Sequence, residues 1–186
     1  CHAVEAYTNG TYNSVQEKKM CKKAVKLIYH NLYRIYRNGS DLEGRQNMQM
    51  AAFYAGRAFT RGCVGYVHAI GHTLGGTPHG LAMAVLLPHV MRAYGSSVYN
   101  RLAELCDVCG ITTADESNKA KAEAFIEWIE EMKVKMDIPV YPEGLKEEDV
   151  DQIVAWAHKE ANPLYPTPVV WTKDDFKAFI YTLIKA

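Results

Sequence analysis

Three of the seven histidines, His68, His72 and His79, fall within twelve residues of one another in the segment VHAIGHTLGGTPHG at 67–80, which is otherwise apolar and rich in glycine. His68 and His72 are four residues apart, so on a helix their side chains share one face, one turn apart. His79 follows Gly75-Gly76-Thr77-Pro78, a turn sequence that can fold the next helix back so that its first turn faces the same space. Neutral imidazole is the commonest nitrogen ligand of first-row divalent cations, and three converging rings favour such an ion. A fourth histidine, His2, stands in CHAVEAY at 1–7, which reads as a helix fragment. A single histidine on an apolar helix is ordinarily a hydrogen-bonded core residue, so the argument rests on the grouping. Spacing alone leaves open which rings ligate and which stand by as acid/base groups, and it also allows a hydrolytic metal site.

The elements that must position these rings read as helices throughout. Ser14-Val15-Gln16-Glu17 is a capping box and Asn38-Gly39 a stop signal. Between them Met20, Ala24, Leu27, Ile28, Leu32 and Ile35 recur at steps of three and four. Lys18, Lys19, Lys22, Lys23 and Lys26 lie largely off that stripe, as a solvated face does. From 41 to 74 no proline occurs, and small residues recur: Ala51, Ala52, Ala55, Gly56, Ala58, Gly62 and Gly65. This predicts a long, central, mostly buried helix or two stacked ones, with the glycines admitting close neighbours. After Pro78 an apolar helix is expected over 80–94, then helices over 97–108, 116–136, 147–160 and 173–185. Thr113-Ala114-Asp115-Glu116 offers a capping box for the third of these, and Thr172 with Asp174 and Asp175 an entry for the last. Without alternating strand patterns or internal repeats, the fold class is all-α, a helical bundle, and 1–186 is one domain.

Composition narrows the partners. Lys+Arg and Asp+Glu balance at 21 each, so there is no electrostatic reason to expect nucleic acid or an anionic membrane. The most apolar run, 80–91, is too short to span a bilayer and contains Pro88 and His89. Five cysteines at irregular spacing point to reduced thiols and a cytoplasmic location. Cys106-Asp107-Val108-Cys109 is a CxxC without a second pair or a nearby histidine, and it ends a helical pattern, which argues against a redox or zinc role.

The run GYVHAIGHTLG at 65–75, continuing through PHGLAMAVLLP at 78–88, closely resembles the signature of the iron-containing (group III) alcohol dehydrogenases. HAVEAY at 2–7 resembles that family's other ligand segment, and Ala161-Asn162-Pro163 its carboxy-terminal stretch. The resemblance covers the whole chain but only the family's helical, metal-binding half, the dehydroquinate-synthase-like carboxy-terminal domain. It implies that His2, His68 and His79 ligate Fe2+ (or Zn2+). It implies that His72 is a catalytic and cofactor-facing residue beside the nicotinamide of NAD or NADP, and that Phe59 lines the alcohol pocket. His30, His89 and His158 match no ligand position. The implied activity is hydride transfer between a small primary alcohol or aldehyde and NAD(P), with the cation polarising the alcohol oxygen; relatives are often dimers, so a homodimer is expected.

The sequence also departs from the family pattern. That pattern has an Asp four residues before the first ligand histidine, where this chain has only Cys1 ahead of His2. No glycine-rich phosphate loop is present, so the amino-terminal dinucleotide-binding domain is missing and the chain alone should turn over no alcohol. Only Thr73 through Pro78 separate His72 from His79, a shorter link than the family's, and a truly tight link sets His79 at risk of missing the shared cation. Two competing readings stand beside the dehydrogenase: a non-catalytic helical fragment or assembly module with an empty histidine site, and a hydrolase needing further Asp or Glu ligands.

Overall fold

The computed structural model describes residues 1–112 and 115–184, and among them all regular structure is helical. The α-helices are α1 (His2–Thr8), α2 (Val15–Arg37), α3 (Leu42–Gly62), α4 (Tyr66–Gly71), α5 (His79–Tyr94), α6 (Tyr99–Cys109), α7 (Asn118–Lys135), α8 (Val150–Ala161) and α9 (Lys173–Tyr181). The all-α reading therefore holds. Helices α2 and α3 form a long hairpin, α6 and α7 a second, and α1 lies against α2, α3 and α6. The short α4 packs between α5 and α8.

Local chemistry sets most of the boundaries. Ser14 donates its backbone N–H to Glu17 Oε2 at 3.0 Å, and Gln16 N–H donates to Ser14 Oγ at 3.1 Å, so α2 starts at a reciprocal cap. Asp41 Oδ1 accepts from Gly44 N–H at 3.0 Å and starts α3. Arg34 reaches across the hairpin turn to Asp41 and to Glu43 at 2.9 Å. Thr172 and Asp175 cap α9 reciprocally, as expected. The expected cap at Thr113 lies outside the described residues. Helix α7 instead enters through Ser117, whose Oγ accepts from Ala120 N–H at 3.2 Å.

The segment 41–74 differs from the reading of one long buried helix or two stacked ones. Helix α3 stops at Gly62 because Cys63 adopts a left-handed φ of 57°. Its burial is only a stripe, which includes Ala51, Ala55 and Ala58, while Phe53 is more than half exposed. The buried element is α4, in which every residue from Tyr66 to Gly71 is sequestered. Close packing explains some glycines but not all. A Cβ on Gly44 would stand 2.5 Å from Ile35 Cγ2, whereas one on Gly56 would meet nothing within 4 Å.

Two sets of long-range bonds hold the site's elements in place. Asn9 Nδ2, just past α1, donates to the carbonyls of Gly62 at 2.9 Å and Val64 at 3.0 Å, bracketing the break before α4. From the other end of the chain, Trp171 N–H donates to the buried Tyr66 hydroxyl at 2.9 Å, and Gly10 N–H donates to Pro166 O at 2.9 Å. Tyr66 is fully buried against Trp171 and Phe176, each ring 4.7 Å away. The CxxC closes α6 with both thiols buried; burial pushes the Cys109 thiol up to about 12, which leaves it unreactive. No helix among the described residues is long and apolar enough to cross a membrane.

Replacing Tyr66 by Phe strands the Trp171 N–H in the core. We expect a loss of about 1–3 kcal/mol of stability in urea unfolding, and Tyr66→Ala to cost about 3–5 kcal/mol, as large aromatic truncations do.

Candidate metal centre

The four histidines enter from three helix segments. His2 opens α1, His68 lies in the middle of α4, His72 follows α4 directly, and His79 is the first residue of α5. The short link between His72 and His79 does not keep His79 away. Thr73 N–H bonds to Ile70 O at 2.9 Å and Leu74 N–H to Gly71 O at 3.2 Å, so the chain tightens at once after α4. Gly76 then takes a φ of +81°, and Thr77 N–H closes a turn onto Leu74 O at 3.3 Å. Leu81 and Ala82 N–H bond to Pro78 O and start α5 with His79 facing back.

The outcome is a cluster of rings. One nitrogen each from His2, His68 and His79 lie within 4.8 Å of one another. His68 is buried, His2 half-buried and His79 exposed, so the trio runs from the interior to the surface. Ring centroids of His2 and His68 are 4.5 Å apart and those of His68 and His79 5.4 Å apart. His72 stands next to the trio, 5.3 Å from His79 and 5.8 Å from His68, outside the converging donor set. Phe59 stacks on His2 at 4.2 Å and 14°, walling one side. An apolar cavity of about 320 Å³, whose walls include Ile28, Leu32, Phe125 and Trp128, is also lined by His2, His68 and His79.

The surroundings favour the neutral form of His2 and of His79. Burial, then the neighbouring His68 ring, lowers the His2 imidazole to about 4. His79 is lowered too, by burial first and then by His68 and His72. Neutral rings retain a lone pair on one nitrogen, which is what a cation needs. The donor set therefore fits a first-row divalent ion, and one atom argues for it strongly: His68 Nε2 is buried and has no hydrogen-bond partner.

Two carboxylates that residue spacing did not single out organise these rings. Glu5, only 1% exposed, accepts Val67 N–H on Oε1 at 2.8 Å and faces His68 Nδ1 with Oε2 at 2.5 Å. Glu160 Oε1 lies 2.8 Å from His72 Nδ1 and accepts the Tyr165 hydroxyl at 2.8 Å. Glu5 had a signal of a kind, an acid three residues after His2 in an otherwise apolar helix. Glu160 and Tyr165, from α8 and the link that follows, had none. Cys1 Sγ stands 3.8 Å from His68 Nδ1, the nitrogen that Glu5 already engages, so Cys1, Glu5 and His68 make no second site.

The other histidines sit elsewhere: His89 donates from Nε2 to Val140 O at 2.8 Å, His30 packs on Tyr29, and His158 lies edge-on to Phe176. Asp41 and Glu43 pair with Arg34 at the far turn of the α2–α3 hairpin, which removes the acids a hydrolase would have drawn from α3.

Comparison with known proteins gives a consistent picture. The sequence pattern of the "Fe-containing alcohol dehydrogenase family, C-terminal" matches residues 1–184. A 1,3-propanediol dehydrogenase of Citrobacter freundii is 37% identical over 166 residues, covering 87% of this chain and 43% of that protein. An NAD-dependent methanol dehydrogenase of Bacillus methanolicus is 34% identical over 164 residues, covering 86% of this chain and 43% of the other. A solved 1,3-propanediol oxidoreductase superposes with a TM-score of 0.90 at 33% identity, over 98% of this chain and 49% of that one. The chain thus spans less than half the length of these relatives.

Gly65 makes room for the Glu5 carboxylate. A Cβ there would stand 2.8 Å from Glu5 Oε1, an atom held by its own hydrogen bond. Gly65→Ala should cost about 1–3 kcal/mol as an overpacked position. In the same urea series Gly56→Ala, in open space inside α3, should gain about 0.5–1 kcal/mol.

Proposed function

Because the chain belongs to the Fe-containing alcohol dehydrogenase family, we propose that it is the helical, metal-holding half of an oxidoreductase moving hydride between a primary alcohol, or its aldehyde, and NAD or NADP. The observation that carries the reading is the convergence of His2, His68 and His79, together with a buried, unpaired His68 Nε2.

In this reading the three imidazoles hold iron or zinc. When bound, the cation supplies Lewis acidity that stabilises negative charge developing on the alcohol oxygen. The remaining chemistry belongs to side chains of this chain. Glu160 engages Nδ1 of His72, so that nitrogen carries the hydrogen and Nε2 keeps its lone pair. His72, part exposed next to His79, accepts the hydroxyl proton at Nε2 and passes it to solvent. Tyr165, bonded to the same Glu160 oxygen, fixes the carboxylate that orients the ring. Phe59 supplies the apolar wall that keeps His2 and the reacting alcohol from bulk water.

The nicotinamide cofactor does not fit on this chain alone, because the sequence offers no glycine-rich loop to cradle its phosphates. Its binding is assigned to an amino-terminal dinucleotide-binding domain of the intact protein, in keeping with the greater length of the relatives. The homodimer and the cytoplasmic location stand as parts of the same proposal.

In the intact protein, His68→Ala or His79→Ala should lower kcat/KM by roughly a thousandfold or more, about 4 kcal/mol of transition-state stabilisation, and should remove stoichiometric metal in elemental analysis. Full activity in either variant, or an active native protein free of metal, would defeat the proposal. The 186-residue chain by itself should take up Zn2+ or Co2+ but show no turnover with ethanol or butanol and NAD(P); clear turnover would show that the chain is sufficient.

A further inference from the structure

We propose that Glu5 is a positioning residue: its buried side chain fixes His68 in the Nδ1–H tautomer and so presents the Nε2 lone pair to the cation, an inference that rests on reading the histidine trio as a cation site. The geometry leaves little freedom. Val67 N–H can only donate, and it points at Glu5 Oε1 from 2.8 Å. The other oxygen, Oε2, is 2.5 Å from His68 Nδ1. A hydrogen on Nε2 would be a buried donor with no acceptor in the protein, so the hydrogen between Oε2 and Nδ1 is placed on the imidazole, and Glu5 accepts on both oxygens. A neutral ring carries one N–H, and Nε2 is therefore an acceptor without a partner in the protein.

The surroundings enforce this arrangement. Glu5 and His68 are 1% and 2% exposed, so water does not compete for either. Gly65, at the amino-terminal end of α4, leaves room for the Oε1 atom that a Cβ would crowd at 2.8 Å. Glu5 lies three residues after His2 on α1, so one short helix delivers a candidate ligand and the group that orients another.

Glu5→Gln separates orientation from packing because it keeps the shape and reverses one hydrogen bond. The Gln carbonyl must still accept from Val67 N–H, so its NH2 faces His68 Nδ1. The ring can satisfy that donor only by carrying its hydrogen on Nε2, which blocks the lone pair a metal would use. Nitrogen-15 NMR of the metal-free 186-residue chain should show His68 as the Nδ1–H tautomer and the Glu5→Gln chain as Nε2–H. Zn2+ affinity, measured by competition with a chelator, should fall about 10–100-fold in Glu5→Gln, the usual effect of removing an outer hydrogen bond from a ligating histidine. Thermal unfolding of the metal-free form should change little, which a purely structural role would not allow. Native His68 found as Nε2–H overturns the proposal, and that measurement decides it even if Glu5→Gln does not fold. Zn2+ uptake indifferent to the substitution overturns the role of Glu5; no Zn2+ uptake by the native chain overturns the reading of the trio itself, a distinct result.

Discussion

A carboxylate with 1% of its surface exposed is tolerable in a helical core only when both oxygens have donors, because an unpaired buried charge costs several kcal/mol. For Glu5 the backbone N–H of Val67 meets Oε1 and the ring of His68 meets Oε2, both from α4. Helix α1 has seven residues and α4 six, far too short to persist on intrinsic propensity. Their mutual register is set by this pairing and by the packing around it. The same constraint accounts for Gly65, where any side chain would crowd the carboxylate.

The rest of the fold frames that contact. The left-handed Cys63 ends α3 and lets the chain turn inward as α4, and Asn9 ties the carbonyls of Gly62 and Val64 at the break back to the end of α1. The carboxy-terminal link returns across the molecule so that Trp171 can donate to Tyr66 at the start of α4. Helix α4 is therefore held by α1 through Glu5, by α5 and α8 through packing, and by the link through Tyr66. Such over-determination is what keeps a six-residue segment rigid enough to present a ring.

Chemistry and access follow one gradient. His68 is sealed inside, His2 is half-buried under Phe59, and His79 and His72 open to solvent. The half-buried His2 ring resists protonation because solvation of the charged form is lost and the neighbouring imidazoles repel it. The open side is where Glu160 and Tyr165 stand, both bonded around His72 at the surface, while His68 lies deepest.

Much of this was legible in the sequence. The apolar stripe of α2, the caps at Ser14 and Thr172, and the His68–His72 spacing follow from local periodicity and hydrogen-bonding chemistry, which neighbouring residues fix among themselves. The glycines of 41–65 were less transparent: their composition suggested burial throughout, but whether a missing side chain makes room for a neighbour or faces water depends on what packs there, as Gly44 and Gly56 show. Nor could spacing say whether the tight 73–78 link would bring His79 to His68, since that depends on successive turns through Gly76. The meeting of Glu5 with His68, 63 residues apart, and of Glu160 with His72, 88 apart, was decided by tertiary structure alone. Sequence carries the donors and their local geometry; only the folded chain, by choosing which distant groups share a buried space, decides which nitrogen of each ring is engaged and which is left free.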